Sequence, residues 1–283
     1  MLAAARGLYF AAAMLLFGST AFCAVLRRHL PIILPPPLAA LRWSALAVAA
    51  LAGCLWLAAA AAQMADALNA AVLMQTVTGT LFGQLFLVRM IALAALAGLF
   101  ATERGGHVTS LPAARLLAAA LMAGLALALP AATGHAANSG PPGFLAIGAA
   151  VDGAHLLTAG FWIGGLAVLA ALFARREPNM LLALSLFSDW AMMAVLLLVM
   201  TGAINAASIV LGGRGRISPL YMGALGLKLA LVLAMLTLAA VNRFRLLPRL
   251  DTGAIARNAR LELGLGIIVV LLAGALGQLQ PTL

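Results

Sequence analysis

The chain has 283 residues, of which 65% are hydrophobic and 8% are charged, and its mean hydropathy is +1.13. This composition cannot cover a water-exposed surface, so it excludes a soluble enzyme or soluble binding domain and indicates an integral membrane protein. The net charge of +10 comes from basic residues between apolar runs, which argues against nucleic-acid binding. Cys23 and Cys54 lie alone in apolar runs and predict neither a disulfide framework nor a thiolate metal site.

Apolar runs of about 20 residues, the length that spans a bilayer, predict an all-α polytopic bundle of about eight helices forming a single transmembrane domain. Their approximate bounds are 8–26, 43–62, 85–100, 113–129, 147–173, 184–211, 221–241 and 261–279. The first run is too long for a secretory signal peptide, so it is interpreted as a helix. The connection from Gln63 to Gln84 has apolar residues at helical spacing and predicts a short helix lying in the membrane interface.

Basic residues are distributed unequally between the two sets of connections and helix ends, 12 against 5 of the 17 Lys and Arg residues. Because positive charge concentrates on the cytoplasmic side of membranes, the richer set predicts the cytoplasm and places both termini in the periplasm. The richer set consists of Arg27, Arg28, Arg42, Arg104, Arg115, Arg175, Arg176, Arg243, Arg245, Arg249, Arg257 and Arg260.

A candidate metal site comes from the segments Thr133-Gly-His135-Ala-Ala and Asp152-Gly-Ala-His155, near the predicted outer face. Asp152 and His155 are three residues apart, so they share one face of a helix, and the Gly-rich segment around His135 can turn back toward them. Imidazole with carboxylate suits Cu(II) or Zn(II), and thioether ligands favour Cu(I). The alternative is that the same residues cap the helix or bond to neighbouring helices.

Three further residues are candidates for supporting roles. Trp162 stands seven residues after His155 on nearly the same helix face, where it would lie beneath a metal or plug a path, and Gly164-Gly165 would let another helix approach. Met64 lies near the outer face and is an additional candidate ligand. Arg89 is interpreted as snorkelling to the interface or as pairing with an acidic residue such as Asp152.

Two other charged residues receive structural interpretations. Lys228, like Arg89, is interpreted as snorkelling to the outer interface. Glu262 is interpreted as a carboxylate in the first turn of the last helix, where it would complement the helix dipole.

The same motifs resemble the signature of the copper resistance protein D family (CopD, PcoD), inner-membrane proteins of bacterial copper homeostasis. The resemblance rests mainly on Thr133-Gly-His-Ala-Ala, Asp152-Gly-Ala-His-Leu-Leu and Trp162-Ile-Gly-Gly. Weaker support comes from Thr80-Leu-Phe-Gly83 with Arg89, from Thr201-Gly-Ala-Ile-Asn205 and from Lys228 through Pro248. Before the seventh helix the chain departs from the family's Thr-x-Tyr-Gly-Arg pattern and has Ser218-Pro-Leu-Tyr221 instead.

The resemblance implies a non-enzymatic copper protein of the bacterial inner membrane. It would bind copper, as Cu(I) or Cu(II), through His135, His155 and Asp152, and would move it from the periplasm toward the cytoplasm. A periplasmic carrier of the CopC type would deliver the metal. Two alternatives stay open: a haem-b electron-transfer protein, which needs two facing histidines within the bilayer, and a copper-delivery scaffold that transports nothing. The sequence leaves the oligomeric state open.

Overall fold

The structure is a computed structural model that describes residues 1–29, 36–65, 68–101, 112–133, 142–212 and 218–279. Across these ranges the chain forms α-helices and no strands. The helices are α1 (Leu2–His29), α2 (Pro36–Ala65), α3 (Ala70–Gly79), α4 (Leu81–Ala101), α5 (Ala113–Ala128), α6 (Pro142–Arg175), α7 (Met180–Gly212), α8 (Pro219–Val241) and α9 (Thr252–Leu276).

Eight of these helices are long and apolar enough to cross a membrane, which confirms the all-α polytopic architecture. The remaining helix, α3, is the short helix expected between the second and third spans. The side chain of Asn69 caps it by accepting a hydrogen bond from the Val72 amide at 2.9 Å. Thr76 is its one fully buried residue, so α3 rests on the bundle through a small contact.

The start of α1 and the end of α9 meet at one end of the bundle. Nη1 of Arg6 donates a hydrogen bond to the carbonyl of Gly277 at 2.8 Å. We call this end the terminus side and the opposite end, where α6 ends at Arg175, the arginine side. On the terminus side α6 and α8 begin and α7 ends.

Helix α1 lies at the centre of the bundle and contacts α2, α5, α6 and α9. Its crossing with α6 is so close that a Cβ at Gly18 would overlap the backbone of Gly160, and a Cβ at Gly164 would overlap the backbone of Gly18 and Ser19. Small residues permit such backbone contact between membrane helices. A Cβ at Gly165 would overlap the ring of Phe187 on α7. The expected close approach at Gly164-Gly165 is therefore confirmed, with two different partner helices.

Large apolar side chains cover the outside of the bundle. Leu51, Ile91 and Leu233 are each more than 60% exposed, at 67%, 68% and 62%. A soluble monomer rarely leaves so much apolar surface uncovered, whereas lipid tails solvate it without cost. The outer surface therefore fits a lipid environment.

Arg42 and Glu262 occupy positions different from those expected. Arg42 lies inside α2 rather than in a connection, because α2 begins at Pro36, and its side chain is 2% exposed with the guanidinium 5.2 Å from the ring centre of Phe100. Glu262 lies in the interior of α9, because Asp251 caps that helix by accepting a hydrogen bond from the Ala254 amide at 3.0 Å. Glu262 is 2% exposed, so the first-turn interpretation is wrong.

Candidate metal centre

Asp152 and His155 both face α7, as their spacing predicts. Nδ2 of Asn205 donates a hydrogen bond to Oδ1 of Asp152 at 2.7 Å, and Nδ1 of His155 lies 3.0 Å from Oγ1 of Thr201. Both contacts join α6 to α7 in the half of the bundle on the terminus side. The two predicted site residues are therefore in one interhelical space, and each has a polar partner there.

The hydrogen bonds of Thr201 favour a proton on Nδ1 of His155. The Thr201 hydroxyl lies 2.7 Å from the carbonyl of Leu197, with a longer contact to Leu198 at 3.2 Å, and 3.0 Å from Nδ1 of His155. A hydroxyl has one proton, so a hydroxyl that donates to Leu197 accepts from Nδ1–H of His155. The lone pair of a neutral His155 ring is then on Nε2, the nitrogen that a metal would use.

A glycine makes room for the imidazole on α7. A Cβ added at Gly202 would lie 3.3 Å from Cε1 of His155, which is tighter than ordinary van der Waals contact. Thr201 and Gly202 together hold the ring in position, one by a hydrogen bond and the other by leaving space. The half-buried ring is thus fixed before any ligand arrives.

Charged groups from α1 and α8 surround Asp152. The carboxylate interacts electrostatically with Arg6 on α1 and with Lys228 and Tyr221 on α8. Lys228 also interacts with His155. Lys228 therefore belongs to the polar group of the site, beyond the snorkelling role expected from sequence. The negative charge of Asp152 therefore opposes the positive charges of Arg6 and Lys228 at this position.

The described residues do not supply a complete metal site. Within them, no three His, Cys, Asp or Glu side chains are arranged to hold a metal ion. His135 lies outside the described residues, so its role beside His155 stays a prediction. Met64 is 62% exposed near the end of α2, and its role as a ligand also stays a prediction.

Arg89 is buried among aromatic rings, whereas the sequence predicted that it would reach the membrane interface. Its side chain is 1% exposed, and its Cζ atom lies 5.0 Å from the ring centres of Tyr9 and Trp56. The rings of Phe82 and Phe86 follow at 5.6 and 5.8 Å. Cation–π attraction is strongest where water is excluded, which explains how the guanidinium is accommodated. The snorkelling interpretation is wrong, and Arg89 joins α1, α2 and α4.

Trp162 lines a cavity of about 210 Å³ in the arginine-side half of the bundle. It is 3% exposed and lies about 10 Å further along α6 than His155. Of the α6 residues that line the cavity, Trp162 is the nearest along the helix to His155, and the others are Leu166 and Leu169. Trp162 therefore lies between the level of His155 and the rest of the cavity along α6, and its role as a plug stays a prediction.

Sequence reasoning missed the contribution of α7 to the site. Thr201 and Asn205 are spaced by four residues, so they share a helix face just as Asp152 and His155 do. Two polar residues with that spacing in an otherwise apolar helix were the available signal. They mark a polar face on α7, and the structure shows that this face meets Asp152 and His155.

Comparison with known proteins gives matches to two family models. Residues 1–144 match the Copper resistance protein D-like, N-terminal domain, and residues 181–276 match Copper resistance protein D. The chain is 34% identical over 226 residues to copper resistance protein D of Pseudomonas syringae pv. tomato, covering 72% of this chain and 70% of that protein. It is 34% identical over 155 residues to the copper transport protein CutJ of Bacillus subtilis (strain 168), covering 53% of this chain and 28% of that protein. No solved structure matches the chain.

Proposed function

Because the chain belongs to the copper resistance protein D family, we propose that it binds copper at the terminus side through Nε2 of His155 and passes the metal toward the arginine side. The family consists of copper resistance and copper transport membrane proteins, so the chain is not an enzyme. The observation that carries the proposal is the position of the His155 ring, whose Nδ1 lies 3.0 Å from Oγ1 of Thr201, an arrangement that favours Nδ1–H and a lone pair on Nε2.

The other proposed ligands are Asp152 and His135. Asp152 stands one turn before His155 and accepts a hydrogen bond from Asn205 at 2.7 Å. It would ligate copper or neutralise the charges of Arg6 and Lys228 around the bound ion. His135 would complete the set from the segment after Thr133. Imidazole and carboxylate accept Cu(II), and Cu(I) would call for a thioether such as Met64.

We further propose that the terminus side faces the periplasm of a bacterial inner membrane. The arginine side has the richer set of basic residues, as cytoplasmic surfaces do. Copper would then arrive at His155 from a periplasmic carrier of the CopC type and leave through the cytoplasmic half. Trp162 would control passage between the two halves.

Copper uptake into liposomes that contain this protein alone tests the transport proposal. The wild type should load copper in proportion to the protein reconstituted, and His155→Ala should reduce uptake to the level of empty liposomes. Copper bound stoichiometrically to the wild type, without accumulation inside, would contradict transport and leave a binding or delivery protein. Absorbance of the purified protein in the haem region checks the electron-transfer alternative in the same preparation.

Thr201→Val should weaken copper binding by about 10- to 100-fold, because the Nδ1–H of His155 loses the partner that fixes the ring and its tautomer. Valine keeps the shape of threonine, so packing on α7 is preserved. Thr237→Val on α8 is the matched control, since the hydroxyl of Thr237 makes the same kind of bond to the carbonyl of Leu233 at 2.8 Å. Titration with copper in detergent measures the copper affinity of both variants. Equal affinity in the two variants would contradict the orienting role of Thr201.

Cysteine accessibility should confirm the orientation. Leu68 is 57% exposed before α3, and Asn179 is exposed between α6 and α7. In a background without Cys23 and Cys54, a membrane-impermeant maleimide should label Leu68→Cys in intact spheroplasts. The same reagent should label Asn179→Cys only after the membrane is opened. The reverse pattern would show that the terminus side faces the cytoplasm.

A further inference from the structure

Glu262 is a carboxylate buried in the membrane-spanning part of α9. It is 2% exposed, and it accepts a hydrogen bond from Nδ2 of Asn242 at 2.7 Å. The side chain of Trp162 also interacts with it. Both partners are neutral, so neither compensates a negative charge. Ionisable groups in this situation are costly and mark ion or proton pathways in membrane proteins.

The amide of Asn242 continues the network to a third residue. Its Oδ1 accepts a hydrogen bond from Nδ2 of Asn258 at 2.9 Å. Asn242 begins a π-helical turn, Asn242–Leu246, that follows α8. π-turns are rare and occur often at functional sites. Here the turn starts at the residue that reaches the Glu262 carboxylate.

The cavity connects Glu262 with the arginine side. Its lining includes Glu262, Asn242 and Trp162, and also Ser188 and Arg243. Nη1 of Arg243 donates to the hydroxyl of Ser188 and, at 3.2 Å, to Asp189, whose side chain is 67% exposed. Ser188 and Arg243 therefore lie at the more exposed end of the lining, and Trp162 and Glu262 are buried.

Among the described residues that line the cavity, Glu262 has no ion-pair partner. Of the described residues, Arg243 and Glu262 are the charged members of the lining, and Arg243 is paired with Asp189 on α7. Helix α6 contributes Trp162 and leucines to that lining, and α8 contributes apolar residues before Asn242. On α9 itself, Arg257 and Arg260 are exposed on another face. The ionisable residues of α1, including Cys23, Arg27 and Arg28, do not line the cavity.

We propose that Glu262 is a proton-binding site reached from the arginine side through this cavity, and that its protonation controls copper passage past Trp162. A proton from water at the arginine side would bind a carboxylate oxygen of Glu262 and return to the same water when it leaves. Asn242 and Trp162 would hold the carboxyl group in place in both states. The control of copper passage rests on the proposed copper transport. The proton-binding site at Glu262 does not.

Infrared difference spectra of the full chain, recorded on acidification, test the proton site directly. Seven Asp and Glu side chains can contribute carbonyl bands of protonated carboxylic acids, which shift in heavy water. The wild type should show among them a component that Glu262→Gln lacks. Glutamine still accepts the hydrogen bond of Asn242, so the fold should persist. Glu177→Gln, in the connection between α6 and α7, is the matched control and should keep this component. The same bands in Glu262→Gln and wild type would overturn the proposal.

Glu262→Asp provides a second variant should glutamine prevent folding, as judged by elution during size-exclusion chromatography. Aspartate should keep a carboxylic-acid band but at a shifted frequency, because the shorter side chain changes the contact with Asn242. An unshifted band would overturn the assignment to residue 262.

Copper uptake at different pH values inside the liposomes tests the link to transport. Uptake by the wild type should depend on the pH at the arginine side, and uptake by Glu262→Gln should not. A variant that keeps the wild-type pH dependence would overturn the control of copper passage. Absence of uptake in the wild type itself would instead refute the proposed transport, while the infrared result would still decide the proton site.

Discussion

Replacing His155 with alanine is expected to lower the affinity for copper by at least about 100-fold, more than the loss of an orienting partner costs. Among the described residues of the site, His155 supplies an imidazole whose position is fixed by its neighbours. Thr201 occupies Nδ1, and Gly202 leaves space for the ring. Asp152→Asn should have a smaller effect, about 10- to 100-fold, because asparagine still accepts a bond from Asn205 but carries no charge.

His29→Ala is the control for this titration. His29 is exposed at the end of α1, on the arginine side, so its loss should leave the affinity unchanged. Titrations of the purified variants under matched detergent conditions give the comparison. Wild-type affinity in His155→Ala would contradict the proposed site and direct the search toward the methionines.

Replacing Gly164 with leucine should unfold the protein in detergent or prevent its accumulation, at a cost of about 3 kcal/mol, the upper end of the usual range for overpacking. Even a Cβ at this position would overlap the backbone of Gly18 and Ser19, and backbone cannot move aside as a side chain can. Helix α1 lies at the centre of the bundle, so separating it from α6 also disturbs its contacts with α2, α5 and α9. Gly164→Ala should have the same direction of effect and be milder.

Gly264→Leu is the matched control for Gly164→Leu. Gly264 lies within α9, and a Cβ there has no heavy atom within 4 Å. Both substitutions change helix propensity in the same way, so the difference between them reports packing alone. The fraction of folded protein after heating, measured by size-exclusion chromatography, provides the readout. Equal loss in both variants would mean that the α1–α6 crossing is not the cause.

The number and approximate positions of the spans could be predicted because hydrophobic length is a local property of the sequence. The ends of the helices were harder to predict, since they depend on capping and on contacts between helices. Arg42 is charged and therefore looked like part of a connection, yet the Phe100 ring on α4 accommodates it inside α2. Glu262 was misplaced because the polar residues before it, Arg257 and Asn258, interrupt the apolar run without ending the helix.

The Asp152–His155 pair could be predicted because helix periodicity alone brings residues three apart together. Its partners Thr201 and Asn205 come from another helix, and no local pattern states which helices pack side by side. The same reason explains Arg89: the sequence shows an intramembrane cation, but the four rings around it come from three different helices. Contacts between helices are set by packing across the whole bundle, so they require the structure.

X-ray absorption of the copper-loaded protein tests the ligation of copper by His155 most directly. The wild type should show nitrogen or oxygen scatterers with the outer-shell pattern of imidazole, and His155→Ala should lose imidazole scattering in proportion to the ligand removed. His29→Ala should give the wild-type spectrum. A first shell of sulfur alone, or an imidazole pattern unchanged in His155→Ala, would contradict the account.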